Sequence, residues 1–70
     1  HNLASVSVIA DSATTADGLS TALFVLGEQR ALQLAEQQGL AVFLIIRDGR
    51  GYRTEMSSAF KQLLRDKDKS

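Results

Sequence analysis

Two oxygen-bearing side chains in the first third of the chain have a spacing that could bind a metal ion. Asp17 and Thr21 are four residues apart, so on an α-helix they lie one turn apart on the same face. A carboxylate and a hydroxyl are hard donors of the kind that Mg²⁺ selects, although two side chains cannot complete an octahedral site. The same spacing is common in helices that bind nothing, and an acidic residue in a first turn also complements the helix dipole. Both interpretations stay open on spacing alone.

The residues around this pair suit a ligand that carries phosphate. Residues 11–15, DSATT, are rich in short oxygen-bearing side chains that cap helices, and we predict Thr15 as the N-cap. A helix N-terminus offers unpaired N–H groups and a partial positive charge to a diphosphate. Gly18 costs such a helix about 1 kcal/mol relative to alanine, and its missing side chain would let a ligand or a backbone come close.

The periodicity of apolar residues predicts six elements in the order β-α-α-β-β-α. Val6 and Val8 alternate with serines, which indicates a strand with one buried face, and apolar residues every three or four positions indicate helices. Gly27 fits the left-handed residue that commonly ends a helix, and Gly39 is predicted to stop the second helix. The predicted strands are 3–10, 40–46 and 52–54. The first predicted helix runs from about Thr14 or Thr15 to Leu26, the second spans 28–38, and the last is capped by Ser57 or Ser58 and runs through Leu64.

This element order predicts an α+β fold, and its central strand indicates that the fold is part of something larger. Residues 40–46, LAVFLII, have almost no polar face, so this strand needs cover on both sides. Phe24 and Phe43 are predicted to lie in the core, and Phe60 to anchor the last helix. Because a 70-residue chain has few elements to provide cover, we expect its strands to complete a mixed or antiparallel sheet of a larger protein.

Composition excludes several classes of function. Apolar residues make up 44% of the chain, which is typical of a globular protein. Cysteine is absent, which excludes disulfides and cysteine-based metal sites, and the single histidine, His1, is interpreted as inert. Eight acidic and eight basic side chains cancel, so the chain lacks the positive field that binds nucleic acid. Its longest apolar run is too short to cross a bilayer, and no signal peptide is visible.

A long ordered pattern around Asp17 resembles a known enzyme family. Val6, Val8 and Ala10 match a V-x-V-x-A strand, residues 16–22 read ADGLSTA, and residues 24–27 read FVLG. This order is similar to the C-terminal signature of the FAD:protein FMN transferases, a bacterial family once described as thiamine-biosynthesis lipoproteins. Residues 29–49 are similar to the next helix and strand of that family, so the resemblance covers about residues 3–49.

The resemblance implies a Mg²⁺-dependent transfer of FMN from FAD onto a threonine of an acceptor protein. It implies that Asp17 and Thr21 are ligands of Mg²⁺, with a third protein ligand from the other half of the enzyme. In such a site the metal adjoins the diphosphate of FAD, and charge on the departing AMP is neutralised. Thr14, Thr15 or Ser20 would contact phosphate or metal-bound water. The implied acceptors are flavin-carrying subunits of membrane redox complexes, such as sodium-pumping NADH:quinone oxidoreductase.

The resemblance also implies that residues 1–70 are one C-terminal segment of a flavin transferase. Family enzymes are several times longer, and their flavin-binding surface and a His-x-x-Asp-Pro segment lie upstream of the matching stretch, so we assign neither catalytic nor flavin-binding residues here. The expected partners are the N-terminal remainder of the same enzyme, FAD and the acceptor flavoprotein. Residues 66–70 are predicted to form a frayed tail. Because family members are commonly exported and lipid-anchored, the expected localisation is the periplasm, at a membrane.

Two other functions stay open beside the transferase. A hydrolase of the same family would use the same ligands to convert FAD to FMN and AMP, with water as the attacking group. A small α/β interaction module would have no catalysis, and Asp17 would only cap its helix. Arg47, Arg50 and Arg53, beside Tyr52, are interpreted as a solvated rim rather than a nucleotide clamp.

Overall fold

The computed structural model describes residues 2–10 and 12–68, without the side chains of residues 13, 14, 67 and 68. The interpretation of His1 therefore lies outside the described residues. The predicted order β-α-α-β-β-α is confirmed, and so is the α+β fold class. The strands are β1 (Leu3–Ile9), β2 (Ala41–Asp48) and β3 (Gly51–Met56), and the helices are α1 (Ala13–Leu26), α2 (Glu28–Gln38) and α3 (Ser58–Asp68).

The described strands form one antiparallel sheet in the order β1-β2-β3. Val6 lies opposite Leu44 and Val8 opposite Val42, so the valines of β1 share a face with alternate residues of β2. On that face Val42, Leu44 and Ile46 are at most 1% exposed. β2 is thus the central strand of the described sheet, as predicted, and one of its faces is fully buried.

Helices cover both faces of the sheet. On the face that carries Val42 and Leu44, Leu23 of α1 and two alanines of α2, Ala31 and Ala35, complete the buried core. The alternate residues of β2 point to the other face. There the ring centroid of Phe43 lies 5.5 Å from the ring centroid of Phe60 in α3. Phe60 therefore anchors the last helix, as predicted, and the two faces are covered by different parts of the chain.

Glycines end the first two helices, but in two different conformations. Gly39 ends α2, as predicted, and is left-handed, with φ 66° and ψ 32°. Gly27 has φ 86° and ψ 170° and is both the last cap of α1 and the first cap of α2. Its positive φ fits the prediction but its ψ is extended, because the chain must leave one helix and enter the next within a single residue. That region of backbone space is open essentially only to glycine.

The start of α3 is tied to both β2 and α2. Ser57 is the N-cap, fully buried, and its hydroxyl accepts from the Val42 N–H at 2.9 Å and donates to the Leu40 carbonyl. The Ser58 N–H donates to the Glu36 carboxylate at 2.7 Å, which also places a negative charge at the helix N-terminus.

The last helix is longer than predicted, ending at Asp68 instead of Leu64. Helical backbone thus includes residues 66–68 of the predicted frayed tail, while residues 69 and 70 lie outside the described part of the chain. None of the helices in the described residues is long and apolar enough to cross a membrane.

Candidate metal site

The first helix begins one residue after Ser12. Ser12 has an extended backbone, and its hydroxyl oxygen accepts from the Thr15 N–H at 3.1 Å, which is the geometry of an N-cap. The Ser12 hydroxyl also donates to the Thr15 hydroxyl oxygen at 2.8 Å. The prediction of Thr15 as the cap is wrong. Several adjacent residues of this segment have capping side chains, and the backbone turns helical early enough that Thr15 already lies in the first turn.

Asp17 is the fifth residue of α1, in its second turn, and it is exposed. No acidic residue lies in the first turn of this helix, and the effect of the helix dipole falls off beyond that turn. Within residues 2–10 and 12–68, the Asp17 carboxylate forms no hydrogen bond or ion pair. Asp17 is therefore not the cap of the helix, which corrects the structural role that the interaction-module interpretation gave to it.

Thr21 lies one turn further along the same face and is also exposed. Its hydroxyl donates to the backbone carbonyl of Asp17 at 3.1 Å. This bond uses the hydroxyl hydrogen and leaves the oxygen lone pairs free to accept from, or to coordinate, a group outside the helix. The residue pair identified from spacing is thus brought together on one exposed surface of α1.

The donor chemistry of this surface fits Mg²⁺ but does not complete a site. A carboxylate and a hydroxyl are two hard oxygen donors of the six that Mg²⁺ requires. Apart from its chain neighbours and the nearby helix backbone, nothing lies within 4 Å of the position that a side chain would occupy at Gly18, so the surface next to Thr21 is open. In the part of the chain that the structure describes, no three acidic, histidine or cysteine residues cluster around a possible metal. Asp17 and Thr21 therefore supply at most two of the six oxygen donors.

The other hydroxyl groups of α1 are placed less favourably for binding. The Ser20 hydroxyl donates to the Ala16 carbonyl at 2.8 Å, just as that of Thr21 donates to Asp17, but Ser20 is half-buried and therefore less accessible to a ligand. Thr15 is exposed but is hydrogen-bonded to the Ser12 cap. The side chain of Thr14 lies outside the described residues. Thr14 and Thr15 both lie in the first helical turn, where backbone N–H groups lack partners within the helix, and the Thr15 N–H is bonded to the Ser12 hydroxyl.

The three arginines around the β2–β3 turn do not form a clamp. Arg47 lies opposite Tyr52 and Arg53 lies opposite Ile46, so Arg47 and Arg53 point to opposite faces of the sheet. Arg53 also makes an exposed ion pair with Glu55 at 2.8 Å. This arrangement agrees with the prediction of a solvated rim.

A surface groove beside Thr21 was missed by sequence reasoning. It has a volume of about 280 Å³ and lies between α1 and β1, lined by Val6, Ser20, Thr21, Phe24 and Val25. Phe24 was predicted to lie in the core but is 41% exposed, and Val25 is 73% exposed. A signal was present in the sequence, because α1 is apolar on several sides rather than along one stripe, which is typical of a helix buried in a larger protein.

Comparison with known proteins confirms the resemblance. Residues 1–44 match the sequence profile described as the ApbE family. The FAD:protein FMN transferase of Haemophilus influenzae is 57% identical over 68 residues, which are 97% of this chain and 20% of that protein. The FAD:protein FMN transferase of Salmonella typhimurium is 52% identical over 64 residues, which are 91% of this chain and 18% of that protein.

Solved structures agree with these sequence matches. The apo form of the Pseudomonas stutzeri flavinyl transferase ApbE superposes with a TM-score of 0.87 at 51% identity, over 90% of this chain and 20% of that one. The Vibrio cholerae flavin transferase ApbE gives a TM-score of 0.84 at 39% identity, over 89% of this chain and 20% of that one. The chain therefore spans about one fifth of the length of the proteins it matches.

Proposed function

The chain belongs to the ApbE family, and on that premise we propose that it is the part of an FAD:protein FMN transferase that presents two ligands to Mg²⁺. Asp17 is the charged ligand and Thr21 the neutral one. The relatives that carry the transferase name are about five times as long as this chain, so the activity is that of a whole enzyme to which this segment contributes.

The observation that carries the proposal is the state of the Asp17 carboxylate. It is exposed on the second turn of α1, while Ser12 caps the helix. Thr21 lies on the same face, with its hydroxyl hydrogen bonded to the Asp17 carbonyl, so lone pairs are left for a cation. An uncompensated carboxylate beside an oriented hydroxyl, with open space at Gly18, has no structural role within the described residues but suits a hard cation.

In the proposed reaction a threonine hydroxyl of the acceptor protein attacks the phosphorus on the FMN side of the FAD diphosphate. The new oxygen–phosphorus bond forms as the bond to the bridging oxygen breaks, AMP leaves with that bond's electron pair, and the threonine proton passes to a base outside this chain. When bound, Mg²⁺ supplies positive charge that offsets the charge developing on the phosphate oxygens. The part of this chain is to hold two oxygen donors at fixed positions on a rigid helix.

The proposed acceptors are flavin-carrying subunits of membrane redox complexes, and the proposed location is the periplasm, with a lipid anchor on the whole enzyme. Both proposals rest on the resemblance to the family. Cell fractionation followed by mass spectrometry of the enzyme's N-terminus tests the location. Recovery of the enzyme in the cytosol without a lipid-modified residue would contradict it.

Calorimetric titration of FAD into the whole enzyme, with and without Mg²⁺, tests the metal site. We expect Asp17→Ala and Thr21→Val each to lower the Mg²⁺-dependent affinity for FAD, Asp17→Ala by at least about a hundredfold, because loss of outer partners of metal ligands alone costs ten- to a hundredfold. Asp48→Ala and Thr54→Val are matched controls, since both residues are exposed on the sheet, and should bind like the parent. Equal affinity in the parent and in Asp17→Ala would refute the proposed site.

Product analysis separates the transferase from the hydrolase that uses the same ligands. The enzyme is incubated with FAD and Mg²⁺, with and without an acceptor flavoprotein subunit. A transferase yields acceptor increased by the mass of FMN, bound at threonine, together with AMP in equal amount. Release of free FMN with AMP, at a rate that the acceptor does not change, would identify a hydrolase instead.

A further inference from the structure

The two outer strands of the sheet differ in how their free edges are protected. Among the described residues, β1 and β3 each have a neighbour on one side only, β2. Residues 51–54 of β3 are exposed, and the strand carries the ion pair of Arg53 with Glu55. β1 reads LASVSVI, with no charged residue and no proline, and it pairs regularly with β2 from Ser5 to Ile9. Natural proteins protect solvent-exposed edges with charges, so β3 resembles a solvated edge and β1 does not.

The helix above the β1 edge is also unsuited to contact with water. Val25 is 73% exposed and Leu26 is 39% exposed. Val25 lines the groove between α1 and β1, together with Val6 on the strand. The groove opens beside the strand whose edge is free, so a further strand added to β1 would place a side chain against Val6 and into this groove.

We infer that β1 is the edge through which this segment joins the rest of its own polypeptide, by pairing with a strand from the remaining four fifths of the enzyme. An apolar side chain of that strand fills the groove of about 280 Å³ and covers Val25, while the β3 edge stays in water. The Pseudomonas stutzeri structure, in which 90% of this chain superposes on 20% of a longer chain, supports an intramolecular occupant over a second copy. This inference rests on family membership and not on metal binding, although Thr21 belongs both to the groove and to the proposed metal site.

Cysteine labelling of the whole enzyme tests this inference with a matched pair of positions. Val25 and Tyr52 are almost equally exposed in this chain, at 73% and 69%, and the chain contains no cysteine. Val25→Cys and Tyr52→Cys are each treated with a small thiol reagent, without Mg²⁺ or FAD, and modification is located by peptide mass mapping. Each rate is divided by the rate for the same variant unfolded in denaturant, which removes differences in intrinsic reactivity.

We expect the thiol of the Val25→Cys variant to react at least about tenfold more slowly than that of Tyr52→Cys after this correction, because labelling then waits for a local opening. Equal rates at the two positions would overturn the inference. Slow labelling at Val25→Cys that becomes fast on dilution, with a fall in molecular mass, would also overturn it and identify a second copy as the occupant. Slow labelling only after addition of an acceptor flavoprotein would assign the surface to the acceptor instead.

Protection of the Val25→Cys thiol would support the inference but would not test whether Asp17 and Thr21 bind Mg²⁺. If Val25→Cys is protected but Asp17→Ala binds FAD like the parent, the segment is embedded as inferred and the metal site is elsewhere. If both experiments succeed, the covering strand lies next to Thr21, since Thr21 lines the same groove.

Discussion

Replacing Ser57 by alanine is expected to loosen the joint between α3 and β2. The Ser57 hydroxyl accepts from the Val42 N–H at 2.9 Å and donates to the Leu40 carbonyl, and it lies 3.4 Å from the Phe60 N–H that it caps. Ser57 and Val42 are both fully buried, so water cannot replace the lost hydroxyl without entering the core. Alanine at this position would leave a buried donor without an acceptor.

The expected loss follows from the two N–H groups that the Ser57 hydroxyl accepts from. A buried N–H group left without a partner costs about 1–3 kcal/mol. The long contact to the Phe60 N–H adds a capping contribution at the low end of the usual range, about 0.5 kcal/mol. The sum is about 1.5–3.5 kcal/mol, which corresponds to about 10- to 400-fold faster exchange of the Val42 amide hydrogen if exchange follows opening of this joint.

Hydrogen exchange of the whole enzyme, with mass-spectrometric or NMR resolution of β2, measures this effect where global unfolding would not be two-state. Ser58→Ala is the matched control, because its hydroxyl donates to Glu36 at an exposed position and its N–H keeps the same acceptor. That variant should change exchange in β2 by less than about fivefold, as expected of an exposed hydrogen bond. Equal exchange of Val42 in Ser57→Ala and Ser58→Ala would refute the role given to the buried hydroxyl.

Two further substitutions test the joint between α1 and α2 and the charged rim. Gly27→Ala should lower the free energy of unfolding by about 1–3 kcal/mol, because φ 86° with ψ 170° is open essentially only to glycine. Gly51→Ala, at an exposed strand position with open space around it, is the control, and equal urea midpoints for the two variants would contradict this reasoning. Arg53→Ala should change stability by no more than about 0.5 kcal/mol, since its pair with Glu55 is exposed. It should also leave FAD affinity unchanged in calorimetry, and a tenfold loss of affinity would restore the nucleotide-clamp interpretation.

Local sequence patterns were sufficient to predict the helices and strands and the relative position of Asp17 and Thr21. Alternation in β1, the apolar run of β2 and the glycine after α2 each depend on residues close in sequence, and all three predictions are confirmed. The relation of Asp17 to Thr21 follows from helical periodicity alone. Spacing could not decide whether the Asp17 carboxylate caps α1 or stays available for a ligand, because that depends on which neighbouring residue becomes the N-cap.

The first residue of α1 could not be predicted, because several neighbouring side chains can cap a helix. Ser12 and Thr15 both have the chemistry of a cap, and the backbone conformation selected Ser12. The end of α3 was misjudged for a related reason, since the charged residues after Leu64 favour neither helix nor coil strongly and the structure continues the helix to Asp68.

By itself, the sequence determined the order of the elements, the α+β class and the family, because these depend on periodicity and on an ordered set of residues. Only the tertiary structure decided which surfaces are covered. It showed that Phe24 is 41% exposed and that a groove lies beside Thr21. It also showed that Glu36 binds Ser58 across 22 residues of sequence. The burial of a side chain and contacts of this kind depend on residues that are distant in the chain, so a local sequence pattern does not predict them.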